Sequence, residues 1–195
     1  MENMLHCISE ANGIKTFYFP IYCQSPFPIN YIDSDLATLN DFQRIVSLES
    51  KLLIKPQFRI SKISRKRKEV VGLFSSVTLK DGRRAHLRHL DIDAHYEVKE
   101  DMEIIEDVLE NMYPNRSNPF GGHVVFSGRG YHFYGNDLMT QEEWRKWIER
   151  AKENENVDKN WCDIQLKRGV SVLRLTSSEL KGIEPKVFYK TNIEI

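Results

Sequence analysis

The sequence predicts an α+β fold in which mixed or antiparallel sheets are flanked by helices. Strand-like runs are joined by short turns that contain glycine, as at Asp81-Gly82, and such pairs favour antiparallel hairpins. Two further segments, 100–113 and 140–151, carry apolar residues at the spacing of a helix with one buried face.

The composition is that of an ordinary globular protein. Of its 195 residues, 41% are hydrophobic and 29% are charged, which excludes a disordered chain. We predict a single domain over 1–195, with a possible N-terminal lobe over about 1–65. No apolar run or leader pattern indicates a membrane span or a signal peptide, so we expect a soluble, intracellular and cytoplasmic protein with no membrane partner.

The cysteines argue against a metal-bound or disulfide-bonded scaffold. There are three, widely spaced, with no C-x-x-C pair, at Cys7, Cys23 and Cys162. We therefore expect a reducing compartment and no structural zinc.

Charge is strongly segregated although the formal net charge is +0. Residues 55–90 contain eleven Lys or Arg against two acids, a balance of +9, and residues 91–115 contain nine acids against one Lys, a balance of −8. This pattern suits a protein that holds a polyanion on one surface and cations on another. Two solvated faces that merely neutralise each other remain an equal alternative.

The first half of the chain predicts few elements. Residues 16–22 form a plausible short strand, and a helix is expected somewhere within 36–53. Strands are then predicted over 70–74 and 76–79. A basic cluster before these strands is interpreted as a phosphate-facing loop that follows a nucleic-acid strand. Two arginines after the Asp81-Gly82 turn are assigned the same role. An exposed loop without function is the alternative for the cluster. These residues are Arg65, Lys66, Arg67, Lys68, Arg83 and Arg84.

The returning strand, 85–94, contains Asp91 and Asp93. Alternation along a strand places both carboxylates on one face, about 6–7 Å apart. Two unpaired carboxylates at that distance repel each other and raise each other's pKa. The pattern therefore indicates a site for a divalent cation.

A glycine-rich turn joins two further strands, 123–126 and 131–135. Gly128 and Gly130 allow backbone N–H groups to approach a ligand closely. Ser127, Arg129 and His132 add a hydroxyl, a guanidinium and an imidazole, all suited to phosphate oxygens. A plain structural turn is the commoner meaning of this pattern alone.

The last elements are a helix and a hairpin. Thr140 to Glu143 form a capping box, and the tryptophan-rich stripe that follows predicts a buried helix face. A second hairpin is predicted between strands at 161–166 and 170–175. Asp163 and Arg174 each interrupt an apolar strand there, so Asp163 is paired, exposed or a metal ligand.

Taken in order, these motifs resemble the archaeo-eukaryotic primase superfamily, the primase-polymerases. The family's Asp-x-Asp strand is matched by Asp91 and Asp93, its Ser-x-His hairpin by Ser127 to His132, and its later strand acid by Asp163. The resemblance runs from about Val70 to Lys181. It implies an RRM-like palm that carries the acids beside an N-terminal α/β lobe.

The resemblance also implies an activity and its site. The activity is template-directed transfer of NTPs or dNTPs on a single-stranded DNA template, with two Mg²⁺ or Mn²⁺ ions held by Asp91, Asp93 and Asp163. A helicase or an accessory primase subunit or domain is a further partner that it allows. The nucleotide would be held by seven residues: Ser127, Gly128, Arg129, His132, Arg174, Ser178 and Lys181.

Three other interpretations stay open. Glycosyltransferases that bind sugar nucleotides also use Asp-x-Asp with a metal, but that class leaves the Ser127 turn and Asp163 without a role. A metallo-phosphohydrolase is suggested by nearby histidines, His86, His89 and His95, although such sites favour His-Asp pairs on helices. The third is a degenerate nucleic-acid-binding module that retains the fold but has no physical reason to keep the acids.

Overall fold

A computed structural model describes residues 1–23, 44–52, 69–94, 98–113, 121–128, 130–177, 183 and 185–191. Within them it shows four helices and a nine-stranded antiparallel sheet, which confirms the α+β prediction. The helices are α1 Glu2–Asn12, α2 Val98–Met112, α3 Gln141–Glu153 and α4 Lys159–Arg168. The strands are β1 Ile14–Cys23, β2 Arg44–Glu49, β3 Glu69–Phe74, β4 Ser76–Leu79, β5 Arg84–Ile92, β6 Gly122–Phe126, β7 Tyr131–Met139, β8 Val172–Arg174 and β9 Lys186–Thr191.

The sheet has the order β8-β3-β1-β4-β5-β7-β6-β9, and β2 pairs with β1. Strand β1 is unusual because it pairs with β2, β3 and β4 at once. Residues 14–23 therefore share a sheet with the strand that carries Asp91. The division into one domain with an N-terminal lobe stays a prediction, because only 1–23 and 44–52 are described within that lobe.

Both hairpins predicted before residue 140 are present. Strands β4 and β5 pair across the Asp81-Gly82 turn, where Gly82 has a φ of 86° that favours glycine over other residues. Strands β6 and β7 pair from Gly122 opposite Gly135 to Phe126 opposite Tyr131. The predicted helices are also present as α2 and α3, and α3 begins with the Thr140–Glu143 capping box.

The core contains three tryptophans whose indole N–H groups all find acceptors. Trp144 donates to Ser171 Oγ at 3.2 Å, Trp147 to the His89 carbonyl at 3.0 Å and Trp161 to the Val172 carbonyl at 3.0 Å. Their rings are buried, so these bonds satisfy groups that would otherwise be costly to remove from water. They also attach α3 and α4 to β5 and β8.

The second predicted hairpin is wrong. Residues 159–168 form helix α4, not a strand, and β8 pairs with β3 instead of with residues 161–166. The Asp158 side chain caps the helix by accepting from the Trp161 N–H at 2.9 Å, and Gly169 ends it in the left-handed conformation with φ 71°. Asp163 therefore lies on a helix.

The prediction for the first half needs two further corrections. A helix was expected within 36–53, but the described part of that stretch is strand β2 followed by a 3₁₀ turn over Ser50–Leu52. Pairing with β1 explains the strand, because a partner at the sheet edge outweighs weak helical periodicity. Helix α1 was not predicted. Among the helices that the structure describes, each is too short or too polar to pass through a lipid bilayer.

Candidate active site at the end of strands β5 and β7

Asp91 and His132 are cross-strand neighbours. Strands β5 and β7 pair with Asp91 opposite His132 and Ile92 opposite Tyr131, so the Asp91 carboxylate and the imidazole lie on the same face. His132 Nε2 is 3.8 Å from Asp91 Oδ1, and His132 is buried whereas the Asp91 side chain is 25% exposed. The first and second predicted motifs therefore meet at one end of the sheet.

Asp93 extends the same strand beyond the β5 ladder. Its N–H donates to the Asn156 carbonyl at 2.9 Å, and the Asp158 N–H donates to the Asp91 carbonyl at 3.1 Å. Ile92 forms an antiparallel bridge with Val157 between these two bonds. The backbone thus stays extended through Asp93, and alternation keeps both carboxylates on one face, as predicted.

The glycine turn lies directly against the strand of the acids. A Cβ added at Gly130 would lie 2.5 Å from the Ile92 carbonyl oxygen and 3.7 Å from the Asp93 Cα. Gly128 has a φ of 102°, which also favours glycine. Glycine at 130 is therefore required for close approach, and the turn that carries the predicted phosphate-binding groups is held at the carboxylates.

Arg174 fastens this turn from the other side. Its guanidinium is buried and donates to the carbonyls of Thr176 at 2.6 Å, Ile183 at 3.2 Å and Ser127. Ser127 in turn closes the turn through Oγ, which donates to the Gly130 carbonyl at 3.1 Å. The structure thus joins two predicted nucleotide-binding residues, and here both of them make bonds to backbone carbonyls. Their contact with a nucleotide stays a prediction.

Tyr134 orients the imidazole of His132. The Tyr134 hydroxyl donates to the Arg174 carbonyl at 3.3 Å and lies 3.5 Å from His132 Nδ1. A hydroxyl has one proton, so towards His132 it acts as an acceptor and Nδ1 carries a hydrogen. Nε2 is the ring nitrogen that faces the Asp91 carboxylate, 3.8 Å from Oδ1.

Asp163 lies on helix α4, where its carboxylate is paired with a lysine. Its Oδ1 is 2.6 Å from Lys152 Nζ, and both side chains are about half exposed. Burial raises the pKa of the Cys162 thiol to about 12, and the negative charges of Asp158, Asp163 and Asp91 add to the rise. The charges of all three carboxylates are therefore felt at this buried thiol.

Asp158 is a residue that the sequence reasoning missed. Its backbone pairs with Asp91 and its carboxylate caps α4, so it fixes the start of the helix that carries Asp163 against the acid strand. An Asp followed three residues later by the buried Trp161 is a capping signal. It was overlooked because the segment after it was interpreted as a strand.

The donor set suits a hard divalent ion. No group of three or more His, Cys, Asp or Glu in the described part of the chain is arranged to hold a metal. Mg²⁺, however, is commonly bound by one or two carboxylates together with substrate phosphates and water. Asp91 and Asp93, with oxygen ligands on one face beside the glycine turn that was predicted to bind phosphate, fit that mode, and Mn²⁺ accepts the same ligands.

The other predicted residues are not at this end of the sheet or are not described. Arg84 lies seven positions before Asp91 on β5, about 23 Å away along a strand, and Arg83 is paired with Asp81 at 2.7 Å. Seven predicted site residues fall outside the described residues: Arg65, Lys66, Arg67, Lys68, Arg129, Ser178 and Lys181.

Both described histidines that were considered for a metallo-phosphohydrolase are buried. His86 bonds to Ser75 and Gln141, and His89 is fully buried beneath the sheet, where burial and then His86 lower its pKa to about 3. His95 lies outside the described residues. The described pair therefore gives no support to that interpretation.

Comparison with known proteins identifies one family. A family model described as AEP-like, archaeo-eukaryotic primase 1D-like, matches residues 47–184, which is more than half of the chain. No curated protein and no solved structure matches the chain. The matched region includes Asp91, Asp93, the glycine turn, Asp163 and Arg174.

Proposed function

Because this chain belongs to the AEP-like family of archaeo-eukaryotic primase 1D-like proteins, we propose that it is a DNA primase-polymerase. In this proposal it adds NTPs or dNTPs to a growing strand on a single-stranded DNA template. Membership of the family supports primase-like nucleotidyl transfer in general. The template, the nucleotide and the two-metal mechanism are our proposal.

One observation supports this function above the others. The strand pairing of Asp91 with His132, together with the closeness of Gly130 to Ile92, brings the carboxylate strand and the glycine turn to one place, and in our proposal that turn binds phosphate. Nucleotidyl transfer needs both, because the incoming triphosphate and its metal ions must be held side by side. A sugar-nucleotide transferase would leave the turn without a role.

The residues have distinct tasks in this proposal. Asp91 and Asp93 would hold the two Mg²⁺ or Mn²⁺ ions, with Asp163 as the third carboxylate. When bound, these ions neutralise charge on the triphosphate and activate the attacking hydroxyl. The His132 imidazole would contact a phosphate oxygen beside Asp91, and Tyr134 holds the ring through Nδ1.

The remaining groups fix the phosphate-binding turn and bind nucleic acid. Arg174 keeps the Ser127 turn pressed on the acid strand through its bonds to backbone carbonyls. The basic residues of 55–90 would follow the template phosphates, with binding that weakens as salt is added. A helicase or an accessory primase subunit remains a proposed partner.

The proposal is tested by template-dependent incorporation. The full chain is incubated with a single-stranded template and labelled NTPs or dNTPs in Mg²⁺ or Mn²⁺, with and without primer. We expect the double variant Asp91→Ala, Asp93→Ala to lose incorporation and to keep its unfolding midpoint. A matched control, Glu142→Ala with Glu149→Ala, removes two exposed acids of α3 and should retain incorporation.

Two results would contradict the proposal. Full incorporation by the Asp91, Asp93 double variant would exclude these carboxylates as metal ligands. Turnover of a sugar nucleotide by the wild-type chain, without template-dependent incorporation of NTPs or dNTPs, would assign the Asp-x-Asp strand to a different enzyme class.

A further inference from the structure

The residue that follows the glycine turn is anchored on the far face of the sheet. Tyr131 lies opposite Ile92 on β5 and next to His132 on β7. Because side chains alternate along a strand, its ring points away from the face that carries Asp91 and His132. There the Tyr131 hydroxyl donates to Asp101 Oδ2 at 2.8 Å, so the first turn of α2 lies behind the glycine turn.

The Tyr131 ring has little freedom to move. It is buried and lies between two aromatic rings, with its centroid 5.4 Å from that of Phe126 and 5.3 Å from that of Phe188. These ring contacts and the bond to Asp101 fix both the ring and its hydroxyl. Burial raises the pKa of Tyr131 to about 12, and the bond to Asp101 adds to the rise, so the hydroxyl stays protonated and remains a donor near neutral pH.

Stability alone does not explain this buried polar pair. Asp101 is also buried, and its second oxygen, Oδ1, has no hydrogen-bond partner among the residues that the structure describes. A carboxyl group is costly to remove from water, and one hydrogen bond offsets that cost only in part. Apolar residues of similar volume are often at least as stable in such a place. What the pair adds is direction, because a hydrogen bond fixes the depth and the angle at which the ring lies.

The position of this ring determines the position of the glycine turn. Gly130 precedes Tyr131 and lies so close to β5 that a Cβ there would be 2.5 Å from the Ile92 carbonyl oxygen. At the start of the same turn, the Arg174 guanidinium donates to the Ser127 carbonyl. The turn is thus held at its start by Arg174 and at its end by Tyr131.

We propose that Asp101 and Tyr131 are positioning residues that hold the glycine turn at the carboxylates from behind the sheet. This inference rests on the proposed function, in which the turn binds the triphosphate of the incoming nucleotide. When the bond between the two side chains is lost, the ring tilts and the turn moves away from β5, so the triphosphate is bound less tightly. Both side chains lie on the far face, so they act through the turn and not on the nucleotide itself.

The chain contains a matched control for this bond. Tyr113, the buried residue that follows α2, donates from its hydroxyl to Asp137 Oδ1 at 3.2 Å. Both tyrosine–aspartate bonds therefore attach the segment 98–113 to β7. Asp137, however, is six positions from Tyr131, which is about 20 Å along a strand. Tyr113→Phe thus removes a tyrosine hydroxyl from the same interface, far from the glycine turn.

The test measures the nucleotide KM in primer extension at a temperature where every variant is folded, beside urea unfolding of each. We expect Tyr131→Phe and Asp101→Ala each to raise KM about tenfold, as the loss of one hydrogen bond does, and the double variant to raise it no further. A lower folded fraction would reduce the apparent kcat and leave KM unchanged, so KM separates positioning from stability. Asp101→Asn should restore most of the wild-type KM, because its amide oxygen still accepts from the hydroxyl.

The outcomes separate this inference from the proposed function. A KM of Tyr131→Phe equal to that of Tyr113→Phe would overturn the inference and leave the proposed function in place. The same holds if Asp101→Asn is as impaired as Asp101→Ala, or if the two single effects multiply in the double variant. Tyr131→Phe alone decides the matter if Asp101→Ala does not fold. Absence of template-dependent incorporation by the wild type would instead contradict the proposed function, and this inference with it.

Discussion

Gly130→Ala tests how closely the glycine turn must approach the acids. At Gly130 the new methyl group would meet the backbone of β5 directly. The added Cβ would lie 2.5 Å from the Ile92 oxygen, whereas ordinary carbon–oxygen contacts begin at about 3.3 Å. The turn must therefore move away from Asp91 and Asp93 by about 0.8 Å.

Two magnitudes follow from this displacement. Forcing one extra carbon into a packed contact costs about 1–3 kcal/mol of the free energy of unfolding. A misplacement of about 1 Å between reacting groups lowers turnover about 100-fold. We therefore expect Gly130→Ala to lose about 100-fold in the rate of nucleotide incorporation while remaining folded.

Gly13→Ala supplies a matched control for the loss of stability. Gly13 ends α1 in the left-handed conformation with φ 60°, and a Cβ there meets nothing within 4 Å. The same added methyl then costs about 1–2 kcal/mol through backbone strain. Gly13 lies beside the β4–β5 turn, where its carbonyl accepts from the Lys80 N–H, far from Asp91.

The assay is primer extension with both variants at a temperature where each is folded, beside urea unfolding of each. The reasoning is refuted if Gly130→Ala extends primers at the rate of Gly13→Ala. It is also refuted if the two rates differ but the Gly130→Ala loss disappears when the rates are corrected for the folded fraction.

Three further predictions concern the surroundings of the site. Asp163→Asn should lower the free energy of unfolding by less than about 1 kcal/mol, because exposed ion pairs contribute little, yet lower nucleotide incorporation about 100-fold. Lys152→Ala, the control, should retain incorporation. Equal rates of the two variants in primer extension would exclude Asp163 as a metal ligand. Arg174→Ala should lower the free energy of unfolding, measured in urea, by about 3–5 kcal/mol, because three carbonyls lose a charged donor. A loss below about 1 kcal/mol would contradict the role of Arg174 in holding the Ser127 turn. Burial lowers the pKa of His89 to about 3 in the folded chain, so the stabilisation that the neutral ring provides is complete above about pH 6.5 and is lost as pH falls towards 3. His89→Phe should therefore flatten the decline of the unfolding free energy between about pH 6 and 4, by up to about 1.4 kcal/mol per pH unit. An unchanged slope would refute this.

The acid strand and the glycine turn were predictable because their signals are local. Alternation places Asp91 and Asp93 on one face whatever the rest of the chain does, and Asp81-Gly82 fixes where that strand begins. The pairing of Asp91 with His132 needs more than these local signals, because β5 lies next to β7, whereas β6 precedes β7 in the chain and pairs on its other side.

Helix α4 was mispredicted because its sequence supports two periodicities. Residues 162–166 alternate in polarity as a strand does, while the buried Trp161, Cys162 and Gln165 lie on one helical face. The caps at Asp158 and Gly169 decide between them, and both were visible in the sequence. The error concerned the element that carries Asp163, which lies on a helix beside Lys152 and not on a strand.

The pairing of β3 with β8 had no local signal at all. Leu73 lies opposite Leu173, so the contact joins positions 100 residues apart. Neither segment contains a turn or cap from which its pairing partner could be predicted. The same absence explains why the role of Arg174 in fastening the Ser127 turn could not be foreseen. Such contacts are selected by burial of the whole sheet and not by short-range pattern.

This long-range pairing has a kinetic consequence. Closing a loop of about 100 residues costs entropy before its contacts repay it, so β8 should join the sheet after β4, β5, β6 and β7 have paired. The chain would then pass through a stage with its carboxylates in place and the Ser127 turn still loose. Amide hydrogens of Leu73 and Leu173 should accordingly gain protection later than those of Leu90 and Phe133 in pulsed exchange during refolding. Catalytic competence would be the last property that the folding chain acquires.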